Sequence, residues 1–241
     1  MITIKSIWLR RLHKWVGLAI GLQFALWTIS GTAMALLDME AVAGGPRPTV
    51  PEVALSGSER AWPRIVGQLG GQRIQAMQSR AVLDRKVLEI RTPGSSRLFD
   101  TRTGEVVAID ANYARAIAQA AHPDGLSPKA VTLLTVATLP VREHEPPIWE
   151  LEFSDRGAST YYVSATTGAL LERRNDSWRW WDFFWMLHNM DYADRTSFNH
   201  PLIITAGFAM AWLAVTGFWL LFRTMWRHDF KWLRTRFAGA S

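Results

Sequence analysis

The chain has 241 residues, 49% of them hydrophobic, with 13 Trp, no Cys and a formal net charge of +6. The missing cysteines exclude disulfides, thiolate metal sites and thioether-linked cofactors. The positive charge sits at the two ends of the chain, so a pI near 10.0 is a signal about topology and does not indicate nucleic-acid binding.

Residues 1–14 form a basic N-terminus with Lys5, Arg10, Arg11 and Lys14. From Trp15 to Leu37 no residue is charged; as a helix this stretch reaches about 34 Å, enough to cross a hydrocarbon core of roughly 30 Å. Ala33-Met34-Ala35 and Ala41-Val42-Ala43 have the small residues of a signal cleavage site, but the apolar run exceeds the roughly 7 to 15 residues of a secretory h-region. It is therefore expected to stay as an anchor. A second uncharged run covers 201–222. Both should be helical, because an unpaired backbone group in lipid costs several kcal/mol. Beyond the second span, residues 223–241 form a tail with Arg223, Arg227, Lys231, Arg234 and Arg236 against Asp229 alone. Positive charge flanking both spans on the same side predicts a multi-pass protein of a bacterial inner membrane, with both termini in the cytoplasm and the middle of the chain in the periplasm.

That middle begins with a linker, 38–57, where Gly44-Gly45-Pro46-Arg47-Pro48 and Pro51 break any periodicity. Two similar stretches follow. Val87–Arg91, Ser96–Asp100 and Thr103–Val107 read as strand, turn, strand, turn, strand, and Trp149–Phe153, Thr160–Val163 and Thr167–Leu171 repeat that order 62 to 64 residues later. An amphipathic helix precedes each set, at Ser58–Leu69 and Asn112–Ala121, followed by a strand at Arg73–Arg80 or Ala130–Thr138. Alternating apolar and polar residues predict antiparallel sheets with one face covered by a helix. The tandem modules are placed at 58–110 and 111–175. In 176–200 an aromatic helix and loop lead to the second span; Trp178, Trp181, Trp185 and His188 share a helical face there, as suits an interfacial position. The fold class is thus membrane α-helical, two long spans plus a short interfacial helix, with an α+β segment of two modules between them.

The helix, strands and terminal Thr-Gly hairpin of each repeat resemble the PepSY domain. Arg11-Leu12-His13-Lys14-Trp15-Val16-Gly17-Leu18 and Thr216-Gly217-Phe218-Trp219-Leu220-Leu221 are similar to the opening and closing stretches of PepSY-associated transmembrane proteins. The resemblance extends over nearly the whole chain. It implies kinship with inner-membrane reductases of ferric siderophores, which carry haem b between histidine-bearing helices and have more spans per chain. A chain with two spans would then act as a homodimer or beside another redox membrane subunit, in contact with membrane lipid and with a ferric chelate as possible substrate.

Four histidines lie near the spans: His13 and His228 at the cytoplasmic edge, His188 and His200 at the periplasmic edge. These are the candidate axial ligands of haem iron. Two imidazoles serve one iron only from opposite faces of one macrocycle, so edges roughly 30 Å apart cannot share a site, and partners must come from the same edge or a second subunit. The competing reading for each is a bond to a backbone carbonyl or lipid phosphate. His122 and His144 are expected at the surface. Gly17, Gly21 and Ala25, and Gly207 and Ala211, recur every fourth residue, fitting either close helix contact or room for a porphyrin. Gln23, Thr28, Ser30 and Thr32 should face a partner helix or cofactor.

Gly67-Gln68-Leu69-Gly70-Gly71 is not a dinucleotide fingerprint, so electrons must come from an external donor. No Ser-His-Asp arrangement stands out either. The sequence therefore reads as a haem-b electron-transfer protein, a possible ferric-siderophore oxidoreductase. In the alternative the two helices merely anchor PepSY modules that bind a periplasmic protein partner through a sheet edge.

Overall fold

A computed structural model describes residues 6–46, 60–193, 195, 197 and 199–238, with backbone alone for 6–7 and 224–238. The chain divides into two compact units. One comprises Met1–Leu36 and Asp182–Ser241, the other Leu37–Trp181.

The first unit is helical. Helix α1 (Ser6–Leu36) packs on α6 (Pro201–Ala238). Pro201 opens α6, where its missing N–H would be unpaired in any case. Segments Trp8–Leu36 and Pro201–Arg223 are long and apolar enough to cross a membrane. Large apolar side chains, among them Leu18, Leu22, Phe208, Val215 and Phe218, point outward, the reverse of a helix that buries its apolar face in a soluble core. The basic ends, expected as tails, are partly helical: α1 begins at Ser6 and α6 continues to Ala238. No Pro or Gly interrupts 223–236, and Lys and Arg are good helix formers. The small-residue repeat does not form the seam between α1 and α6. A Cβ at Gly17 would meet Leu213 Cδ2 at 3.9 Å, but at Gly21 and Gly207 it would meet nothing within 4 Å.

The second unit starts with a short helix, α2 (Met39–Val42), capped by the Asp38 carboxylate accepting from the Glu40 amide at 2.9 Å. The expected free linker is tied down over 38–46: Asn175 Nδ2 donates to Ala41 O at 2.7 Å, and the Arg173 guanidinium to Gly45 O and to Pro46 O, the latter at 2.7 Å. The rest of the linker, 47–57, lies outside the described residues.

Helix α3 (Trp62–Leu69) has Pro63 in its first turn and ends at Gly70 in the left-handed region. The expected start at Ser58 falls outside the described residues. Strands β1 (Ala76–Val82), β2 (Arg85–Thr92) and β3 (Ser95–Asp100) form an antiparallel sheet in the order β1-β2-β3. Leu88, Ile90 and Phe99 pack on Ile65 and Leu69 of α3. The expected fourth strand, Thr103–Val107, is reduced to a single bridge between Phe99 and Val106. Helix α4 (Ala111–Ala121), capped by Asp110, precedes β4 (Ala130–Leu134), β5 (Ile148–Glu152), β6 (Thr160–Ser164) and β7 (Leu170–Arg174), a complete four-stranded antiparallel meander. Helix α5 (Asp176–Asn189) follows, and the Asn175 side chain caps it by accepting from the Trp178 amide at 2.8 Å.

The two sheets share one core. Val82, Val87 and Leu98 of the first join Ala114, Ile117 and Ala118 of α4 and Leu151, Phe153, Tyr161 and Val163 of the second in one continuous cluster. Polar bonds reinforce it: Tyr113 donates to Val82 O at 2.9 Å, and the buried Arg80, paired with Glu89 at 3.2 Å, also donates to Thr167 O. The opposite face of the second sheet is covered by a 3₁₀ turn, Leu139–Val141, through Val141, Ile148 and Tyr162.

His122 is not a surface residue. It is 6% exposed, beside Phe153 and Tyr161 with ring centroids at 4.7 and 5.9 Å and its Nε2 3.7 Å from Asp155. The proline and acid beside it in sequence disguised a position that α4 turns into the core. His144 is partly exposed and bonds Glu172 at 2.9 Å.

Both Thr-Gly turns use positive φ, +72° at Gly104 and +65° at Gly168. A Cβ at Gly104 would lie 2.8 Å from Ala61 O, whereas Gly94, also at positive φ, has open space around it. Gly94→Ala should lose about 1–2 kcal/mol from left-handed strain alone, and Gly104→Ala measurably more, because a backbone atom must also move. Thermal unfolding of the two purified variants compares them directly.

Burial pulls the Asp155 carboxyl upward, but bonds from the Ser159 hydroxyl and amide, together with His122, leave it below the ordinary carboxylate range. Such a group adds stability above its unfolded pKa of about 3.9, which is lost as pH falls through the folded value. Ser159→Ala should lower stability at neutral pH and flatten its fall below about pH 4, as read by chemical unfolding at several pH values.

Candidate functional site

The helical unit brings a histidine against a hydroxyl–glycine pair at two separate places. On α1, His13 lies beside α6, with its Nδ1 2.7 Å from Thr216 Oγ1. A Cβ at Gly217 would come 3.5 Å from His13 Cε1, and the Trp212 ring centroid is 6.2 Å from the imidazole. On α5, His188 lies beside α1. Its Nδ1 is 3.2 Å from both Ser30 Oγ and Trp27 O. A Cβ at Gly31 would come 3.2 Å from His188 Cε1, and the Trp27 ring is 6.3 Å away.

Each arrangement follows from local helix geometry. Trp27, Ser30 and Gly31 fall at i, i+3 and i+4, and Trp212, Thr216 and Gly217 at i, i+4 and i+5, so each set lies on one side of its helix. At the His188 place Gly31 lets the imidazole approach the helix, whereas a Cβ at Gly217 would meet His13 at an ordinary contact distance of 3.5 Å. A side chain at position 31 would be tighter against the ring than ordinary contact allows. His13 and Ser30 are separated by about 26 Å along α1 at 1.5 Å per residue, so the two places are distinct.

The other two edge histidines are placed differently. His200, just before α6, engages Asn189 O through Nε2 at 2.7 Å. The side chain of His228 lies outside the described residues; its backbone is on α6, about 18 Å beyond Thr216 by helical rise. No other edge histidine is therefore seen joining His13 or His188, and among the described residues no group of three or more His, Cys, Asp or Glu could hold a metal ion.

The polar residues of α1 divide. Ser30 is buried, and Gln23 and Trp27 stand on the same face at i−7 and i−3 from it. Gln23 Nε2 and Trp27 Nε1 are buried donors without a hydrogen-bond partner, as is Nδ2 of Asn189, a residue only 2% exposed. Thr28 and Thr32 are exposed instead, and the Thr28 hydroxyl donates back to Phe24 O at 3.0 Å. The sequence singled out Thr216-Gly217 as a motif and Ser30 as a polar residue of the span, but did not connect either with a histidine; that link needs the register of α1 against α6 and α5. Trp27 and Gly31 were missed, although Trp-x-x-Ser-Gly is visible once Trp-x-x-x-Thr-Gly is known to receive a ring.

Two long apolar helices and a sheet-rich unit define a membrane-associated protein. The PepSY-associated TM region family matches residues 10–240, and the chain belongs to that family. No curated protein matches it, nor does any solved structure.

Proposed function

We propose that this chain is a haem-b electron-transfer protein of the bacterial inner membrane, with His13 and His188 as axial ligands at opposite edges of the bilayer. One observation carries the reading: both rings are held through Nδ1, and among the described residues no hydrogen bond engages either Nε2. An iron-ligating histidine uses one nitrogen for the metal while the other bonds a carbonyl or comparable acceptor, which fixes the ring. Haem bound there supplies one-electron redox chemistry between ferric and ferrous iron. The buried, partnerless N–H groups of Gln23 and Trp27 support a bound group that brings acceptors to this face of α1, since leaving each unpaired costs about 1–3 kcal/mol.

His200 spends its Nε2 on a carbonyl and fits a structural role better. His228, if α6 is straight, stands too far from His13 to share its iron. Each edge of the chain therefore contributes one imidazole, and the second comes from another copy of this chain or from a further redox subunit. The two repeats are read as tandem PepSY modules, since each sets a helix against an antiparallel meander closed by a Thr-Gly turn. They would face the periplasm near a ferric chelate acceptor, with the electron donor in the cytoplasm or the lipid.

A second reading, a non-redox anchor whose modules bind a periplasmic protein, draws on the β4 edge. There Leu133 and Val136 are exposed, Val136 to 73%, and β4 pairs only with β5 among the described strands.

A reduced-minus-oxidised spectrum of the purified chain should show a b-type α-band. His13→Ala and His188→Ala should each remove part of it, and His200→Ala should leave it intact. A colourless preparation from haem-replete cells would instead favour the anchor. Because the chain has no Cys, Val136→Cys should be labelled in intact cells by a maleimide confined to the outside if the modules are periplasmic; labelling only after lysis would reverse the topology.

A further inference from the structure

We infer that Thr216 is a positioning residue that fixes the tautomer of His13, and that Ser30 does the same for His188 with a carbonyl as reserve; the consequence for iron rests on the haem reading above, but the tautomer does not. A hydroxyl has one proton and two lone pairs. In Thr216 we assign that proton to the helix's own carbonyls, which can only accept: Trp212 O at 2.8 Å and Leu213 O at 3.2 Å. The oxygen therefore meets His13 Nδ1, 2.7 Å away, as an acceptor, and in the neutral ring Nδ1 must be the nitrogen that carries hydrogen. The lone pair is left on Nε2.

Ser30 is built alike. Its hydroxyl donates to Leu26 O at 2.7 Å and Trp27 O at 3.2 Å and so accepts from His188 Nδ1 at 3.2 Å. Here a second acceptor supports the same assignment. Trp27 O, also 3.2 Å from Nδ1, is a carbonyl that can only accept, so the hydrogen belongs on Nδ1 whichever way the serine turns. The two histidines thus reach one tautomer by different means, His13 through the threonine alone and His188 through a hydroxyl backed by a carbonyl. In each place the hydroxyl sets which nitrogen holds the proton; at the His188 place the glycine also gives the ring space, since a Cβ at Gly31 would come 3.2 Å from His188 Cε1. His200 provides the contrast within the same unit, since its bond to Asn189 O puts the hydrogen on Nε2.

The test uses the full chain, solubilised in detergent and labelled with nitrogen-15 at histidine, without added haem and at a pH where the imidazoles are neutral. Wild type should show His13 and His188 each as a single form with hydrogen on Nδ1, assigned through their Ala variants. Thr216→Val keeps the branched shape and removes the hydroxyl; it should release His13 into a mixture of tautomers, and Thr216→Ser should restore the single form. Ser30→Ala should leave His188 unchanged because Trp27 O remains. Wild-type His13 with hydrogen on Nε2, or a Thr216→Val spectrum indistinguishable from wild type, would overturn the assignment, and the first of these does not depend on how Thr216→Val folds. Titration with ferric protoporphyrin then reads the consequence: Thr216→Val should bind about 10- to 100-fold more weakly, Thr216→Ser close to wild type. A wild type that binds no porphyrin would end the haem reading while the nitrogen-15 result still decided the tautomer.

Discussion

A polar group inside a membrane-spanning helix pair has no water to turn to, so its partners must come from the protein or from something the protein binds. That constraint explains most of what the helical unit does with its few polar atoms. The hydroxyls of Ser30 and Thr216 turn back onto carbonyls of their own helices, as Ser and Thr often do in helices. Their remaining lone pairs are then available to an imidazole. At these two positions a hydroxyl so arranged meets an imidazole.

How much of this could be read in the sequence depends on range. The two apolar helices were legible because lipid imposes a long uncharged run, and their helical extent at the basic ends was not, because charge marks where a helix leaves lipid without ending it. The second meander was legible from alternation and from Thr167-Gly168. In the first, the stretch Thr103–Val107 has the same pattern but forms one bridge, and nothing local to its sequence distinguishes it from the strand Leu170–Arg174. His122 was misplaced for a different reason. Burial of an imidazole is decided by tertiary packing against Phe153 and Tyr161, and neighbouring Pro123 and Asp124 give no sign of it.

The small-residue repeat shows how a pattern can be real and its partner wrong. Gly17 does approach Leu213, but one turn further a Cβ at Gly21 would meet nothing within 4 Å, and Gly207 is equally open. A repeat every fourth residue drifts around a helix of 3.6 residues per turn, so a row that starts in the seam leaves it within two turns. The histidine contacts are less sensitive to this drift, since each depends on two adjacent residues, Ser30-Gly31 or Thr216-Gly217, and not on a long stripe.

Single imidazoles at two places about 26 Å apart also limit what one copy of the chain can complete. On the haem reading proposed above, a six-coordinate iron would need two axial donors on opposite faces of the ring, and α1, α5 and α6 bring one imidazole to each place. His200 could have been the second donor at the His188 end, being close in sequence to the same edge, but the Asn189 carbonyl holds its Nε2. Releasing it would leave a carbonyl of a nearly fully buried residue without that partner, at a cost of about 1–3 kcal/mol, before any iron bond forms. In the arrangement proposed above, a neighbouring chain's His188 would serve as second donor with the bond from His200 to Asn189 left intact.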